Sequence, residues 1–297
     1  MSGTSPRRAD LLLGVLAQTK AWSMRLSRPF LVGASLIFLI GCVWAARQLG
    51  LTPATVDWIA LAWLGLLAAP LSVVYAGQGL VLLARSAGTT MPFGRATAIA
   101  AGATLAEVLP LPGGAIVRAG ALIQAGAKPA RSTMSVLTTA VLWIGLAAFA
   151  SGLVLARGWG DGALALAAAG AAGTIGPLAW LASSAGWANA LGTLTHRLAG
   201  LSLLTVRLHL AFLALGSDVA MVEVVPFVLA VIAGSAASIA PAGLGISEAL
   251  AALLAGTVGI DPASAFLAVA IDRIVLLAAS ASAVAVGAAR RRQGLPR

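Results

Sequence analysis

An all-α, polytopic membrane protein is the fold class that this sequence predicts, on three observations. Of its 297 residues 60% are hydrophobic and only 9% charged, the mean hydropathy is +0.99, and the apolar residues gather into long runs separated by short polar or Pro/Gly-rich stretches. A water-soluble domain carries about a quarter of its residues as charges, so the solvent for most of this chain is lipid. The net charge of +10 comes from arginines that fall between the apolar runs, where they act as topology signals and contacts to anionic lipid. Nucleic acid is excluded as a partner, because the basic patch interleaved with aromatics that it requires is missing.

The elements follow in order. Residues 1–29 form an N-terminal segment in which Leu11, Leu12, Val15, Leu16, Trp22 and Met24 are mixed with Lys20, Arg25 and Arg28, the pattern of a helix over residues 9–28 lying in the cytoplasmic interface. A membrane domain over 30–289 and a basic cytoplasmic tail over 290–297 complete the chain. The first span, from Phe30 to about Ala46, has no small-residue cleavage site after it and reads as an uncleaved anchor. Cys42 ends Leu39-Ile40-Gly41-Cys42, which looks like a lipoprotein box, but apolar chain rather than a polar tether follows, so it reads as an ordinary helix cysteine. The second span, Trp58 to about Leu83, contains Pro70, which a membrane helix accommodates as a kink.

The next apolar stretches are too short to span. Residues 96–109 end at the break Pro110-Leu-Pro-Gly-Gly114, and a second short arm runs to about Ala125. At 1.5 Å per residue each arm reaches about 20 Å, short of a hydrocarbon core of about 30 Å. Two half-helices meeting at a Pro/Gly break are expected to form a re-entrant hairpin buried among other helices. Full spans resume over Ser132 to Leu155 and Ala163 to Leu181. A short amphipathic piece carries Trp187, Leu191, Leu194 and Leu198, and a further span is expected from Leu201 to Val219. Segment 226–240, the break Pro241-Ala-Gly-Leu-Gly245 and the arm 246–257 repeat the half-helix arrangement, and a last span covers Ala263 to Ala288.

Gly114 and Gly245 each follow a Pro-containing break, and each is followed within four residues by a lone charge, Arg118 and Glu248. Duplication with broken helices at matching positions is the signature of repeat-built transporters. Six spans and two hairpins place Arg7, Arg8, Lys20, Arg25, Arg28, Arg85, Arg95, Lys128, Arg131, Arg197 and the terminal arginines on one side, and Arg47 and Arg157 on the other. The positive-inside rule then puts both termini in the cytoplasm of a bacterial inner membrane and makes the two repeats inverted.

Charges inside apolar segments are costly and must be paired or line a polar cavity. They are Glu107 and Arg118 around the first break, Glu248 past the second, and Asp272 and Arg273 in the last helix. Glu107 is expected to pair with Arg118, and Glu248 with Arg273. Such pairs either pin the hairpins or, with helix starts after Gly114 and Gly245 aiming free N–H groups at it, meet a lipid phosphate. Glu107 and Asp272 are also candidates for proton coupling. Arg207 and His209 read as interfacial or snorkelling residues; Trp22, Trp58, Trp159 and Trp187 read as belt anchors, and Trp63, Trp143 and Trp180 as packing.

The motif Pro110-x-x-x-Gly114-x-x-x-Arg118, with Gly243-Leu-Gly245-Ile-Ser-Glu248 and then Asp272-Arg273, resembles the flippase-like membrane domain shared by lysylphosphatidylglycerol synthases and many stand-alone membrane proteins. The resemblance covers roughly residues 30–290. It implies translocation of a phospholipid or glycolipid between leaflets, with Gly114, Arg118, Gly243, Gly245, Glu248 and Arg273 at the motif positions around a headgroup and anionic phospholipid as the partner. The family's aminoacyl-transferring domain has no counterpart here. The family also often carries an acidic residue after the first glycine and an acidic/arginine cluster in the next helix, where this chain has Ala115 and then Thr139, Ala140 and Trp143.

No nucleophile with its base, no phosphate-binding loop and no metal or cofactor constellation is expected, since one cysteine and two well-separated histidines supply no ligand set. Enzymatic activity is therefore not anticipated. Besides lipid translocation, the readings that fit are a secondary transporter of a small anionic solute, and a non-transporting accessory subunit of a lipid- or glycan-modifying system.

Overall fold

A computed structural model describes residues 32–33, 35–107, 113–236 and 245–292. The expected interfacial helix over 9–28, the breaks with Pro110, Pro241 and Gly243, and residues 293–297 of the basic tail lie outside the described residues. Among those residues every regular element is helical. The helices are α1 (Ser35–Gln48), α2 (Trp58–Ser86), α3 (Phe93–Ala106), α4 (Gly113–Gln124), α5 (Pro129–Trp159), α6 (Asp161–Ala185), α7 (Trp187–Ala214), α8 (Val225–Ala236), α9 (Ile246–Ala255) and α10 (Pro262–Arg292).

Five of them, α2, α5, α6, α7 and α10, are long and apolar enough to cross a membrane. The described part of the expected first span, α1, is a shorter apolar helix. Large apolar side chains point outward along these helices, among them Leu66 of α2 at 82% and Ile175 of α6 at 65% exposure, as expected of surfaces solvated by lipid rather than water.

Local chemistry sets the ends. Asp57 caps α2 by accepting from the N–H groups of Ile59 and Ala60, and its own N–H donates to the Ala214 carbonyl, tying the start of α2 to the end of α7. Asp261 caps α10 in the same manner, with Pro262 in the first position. Inside α2 the expected irregularity takes a definite form: Leu64–Ala68 is a π-helical turn, closed by the Ala69 N–H on the Leu64 carbonyl, immediately before Pro70. Pro70 has no N–H and its ring crowds the carbonyl four residues back, and a wider turn relieves both.

Two expectations are corrected here. The amphipathic piece at 187–198 and the span at 201–219 are a single helix, α7, ending at Ala214. Thr193 and His196 are buried and Arg197 lies over Trp143, so the polar residues between the two expected pieces turn into the bundle and do not interrupt the helix. Trp63, expected to pack, is instead 56% exposed on the outer surface.

The element pattern is duplicated. Helix α7 follows α2 with starts displaced by 129 residues, α8 follows α3 by 132, and α9 and α10 follow α4 and α5 by 133 each. Helices α1 and α6, which precede α2 and α7 respectively, stand outside this series. The packing follows the same relation: α3 packs on α10, the closing helix of the other half, as α8 packs on α5, while α2 and α7 meet each other. The α5–α6 contact is built on small residues, since a Cβ at Gly145, Gly152 or Gly170 would overlap the facing backbone.

Candidate functional site

The four half-length helices make two helical hairpins, each with a glycine where its arms touch. A Cβ on Gly113 would overlap the Ala106 carbonyl in the first, and one on Gly234 would overlap Ser247 in the second. At 14, 12, 12 and 10 residues the arms are about 21, 18, 18 and 15 Å long.

In the first hairpin Arg118 Nη2 donates to Glu107 Oε1 at 2.8 Å, as the sequence suggested, and both side chains are about one third exposed (33% and 37%). Gly114 lies against the Glu107 side chain, where a Cβ would displace the carboxylate.

In the second hairpin Gly245 takes a left-handed conformation (φ +83°), and its N–H donates to Glu248 Oε2 at 2.8 Å. Glu248 thereby fixes the start of α9 from the inside and is fully buried. Arg273 reaches in from α10: its Nη2 donates to Ser247 Oγ at 2.7 Å, and its Nε lies 3.4 Å from Glu248 Oε1. The expected Glu248–Arg273 pair is therefore present.

Asp272, next in sequence to Arg273, points elsewhere because consecutive helical residues are about 100° apart. It takes both Nε and Nη2 of Arg207, at 2.8 and 2.6 Å, while Arg207 Nη1 donates to Ser72 Oγ at 3.2 Å. Arg207 is only 5% exposed and Asp272 2%. The sequence reading of Arg207 as a snorkelling residue is thus overturned: it joins α7, α10 and α2 through a bidentate pair at their core. His209, read alongside it as interfacial, keeps a buried Nδ1 that bonds to no described residue.

A further cluster was missed. Arg197, counted from sequence among the cations on the cytoplasmic side, lies within α7 with its guanidinium over the ring of Trp143, 5.2 Å from the centroid. Beside it His196 stacks on Tyr75 of α2, with centroids 3.9 Å apart and planes at 8°. Gly200 and Gly79 make the room, since a Cβ there would overlap the Tyr75 hydroxyl and the His196 ring. The signal available in sequence was the pair His196-Arg197 inside an otherwise apolar run, and it was absorbed into the count of cytoplasmic cations.

Of the expected site residues, Glu107, Gly114 and Arg118 are brought together in one place, and Gly245, Glu248 and Arg273 in another. Asp272 belongs to a separate layer with Arg207. An apolar groove of about 340 Å³ between Leu36 and Arg47 on α1 contributes to none of these pairs. Among the described residues no three His, Cys, Asp or Glu side chains converge to hold a metal. No family model, curated protein or solved structure matches the chain.

Proposed function

We propose that the protein translocates a phospholipid or glycolipid between membrane leaflets, with the hairpins α3–α4 and α8–α9 entering the bilayer without crossing it. The observation that carries the reading is the Glu107–Arg118 pair: a charge pair on a helical hairpin too short to span, reachable from outside yet held by the fold. The resemblance of the Gly114–Arg118 and Gly245–Glu248 motifs to the flippase-like family points the same way.

In this reading α1, α2, α5, α6, α7 and α10 cross the membrane. Each half then begins and ends on one side, and the single crossing by α6 turns the second half over. The uninterrupted helix α7 supports that count. Both termini face the cytoplasm, and the first hairpin enters from there, the second from outside. Arg197 leaves the list of cytoplasmic cations, but Arg85, Arg95, Lys128 and Arg131 keep the bias. A headgroup phosphate reaching Arg118 exchanges the Glu107 carboxylate for a lipid oxyanion, which keeps the cation paired throughout.

The test is leaflet exchange of fluorescent phosphatidylglycerol and a zwitterionic lipid in proteoliposomes. Wild type should exceed protein-free vesicles, and Glu107→Gln/Arg118→Gln, which removes both partners together and so leaves no orphaned charge, should lose the excess. Exchange equal to protein-free vesicles, from protein shown to be folded, sinks the proposal.

A further inference from the structure

Inside the bundle, Arg118, Arg207 and Arg273 each meet a carboxylate, Glu107, Asp272 and Glu248 respectively. Arg197 does not. No carboxylate among the described residues lies within 4.0 Å of it, and the breaks 108–112 and 237–244 contain no Asp or Glu. Its Nε is buried and donates to no described residue. Ten residues into α7, it sits about 15 Å from the helix start, a depth at which an uncompensated cation is strongly unfavourable.

We propose that Arg197, flanked by Tyr75 and Arg118, binds a phosphate-type oxyanion. The guanidinium carbon of Arg197 sits over the Trp143 ring, a cation–π contact that occupies none of its N–H donors with a conventional acceptor, and the buried Nε is left for one. The buried Tyr75 hydroxyl lies beside the Arg197 guanidinium, where its oxygen faces the cation as an acceptor and its O–H, which reaches no described acceptor, is left to donate. Arg118 lies within electrostatic range of Arg197, and a second cation in the neighbourhood further favours an anion at this site. Being one third exposed, Arg118 also offers the way in. That the phosphate belongs to a lipid rests on the translocation reading; the chemistry of the site does not.

Thermal unfolding of the full chain in detergent, with inorganic phosphate, short-chain phosphatidylglycerol or an uncharged glycolipid, tests this. Phosphatidylglycerol should raise the Tm of wild type and the uncharged lipid should not. Arg197→Gln should unfold at or above the wild-type temperature without ligand, because it removes an unpaired buried charge, and should bind at least about tenfold more weakly. Stabilisation by phosphate but not by the lipid supports the site while counting against lipid as its carrier. Stabilisation that survives in Arg197→Gln, or a ligand-free Tm that falls in that variant with the ligand shift intact, overturns the proposal and makes Arg197 a clamp on Trp143. No stabilisation of wild type by either anion overturns it too, and leaves leaflet exchange to the Glu107/Arg118 experiment. Should Arg197→Gln not fold, Tyr75→Phe replaces it: affinity reduced several-fold in native mass spectrometry supports the site, and unchanged affinity overturns it.

Discussion

The two hairpins have the same outline and opposite electrostatic construction. Where the second half places Glu248, Asp272 and Arg273, the first half, displaced by 133 residues, has Ala115, Thr139 and Ala140. The second hairpin is consequently bolted to α10 through Arg273, and α10 in turn to α7 through Asp272 and Arg207; Glu248, Asp272 and Arg207 are buried, and the Arg273 side chain is 11% exposed. Among the described residues the first hairpin has only its own pair, Glu107–Arg118, and that pair is partly exposed. A duplicated frame therefore yields one hairpin tied by charge to α10 and one whose charge pair is internal to it and partly exposed. A carboxylate deep in a low-dielectric interior is held by geometry, whereas one at a polar opening is held weakly.

Four measurements break or sharpen this contrast. The largest effect should come from Asp272→Ala, which strands the Arg207 guanidinium in the core at a cost of about 3–5 kcal/mol. Thermal unfolding in detergent should show a collapse of stability that the paired replacement Arg207→Met/Asp272→Leu recovers. A well-folded Asp272→Ala protein would mean that the deep pair anchors nothing.

Next, Gly234 and its counterpart Gly102 should respond differently to alanine. At Gly234 the added Cβ meets Ser247 and should cost about 1–3 kcal/mol, while at Gly102 it meets nothing within 4 Å and should be neutral or slightly stabilising. Equal effects on unfolding would remove the difference in arm packing. Third, amide hydrogen exchange over Gly113–Gln124 should run faster than over Ile246–Ala255, on the order of tenfold, because only the second arm is tied to α10 by buried charge. Smallest in stability is Glu107→Gln, expected to cost about 1 kcal/mol or less in unfolding, as partly exposed pairs do. A loss much larger than that would place Glu107 with the anchoring pairs.

Much of the candidate site was legible in the chain. Glu107, Arg118, Glu248 and Arg273 stood out because charge is rare in apolar segments, and each found the partner expected of it. Arg207 and Arg197 were misread for a common reason. Both belong to α7, whose inward face is polar enough to look like an interruption, and a one-dimensional pattern does not say whether an arginine in such a stretch faces water, lipid or another helix.

Sequence alone determined that this is a helical membrane protein, that four helices are too short to span, and that one half echoes the other. Those properties depend on hydropathy, run length and the positions of Pro and Gly, which are local. Only the tertiary structure decided which charges meet. Asp272 and Arg273 are neighbours in sequence but serve different partners, and Arg207 lies 65 residues from the carboxylate that holds it. Pairing of that kind depends on how helices rotate against one another, and here the rotation is set by close approaches such as Gly234 on Ser247 and Gly200 on Tyr75.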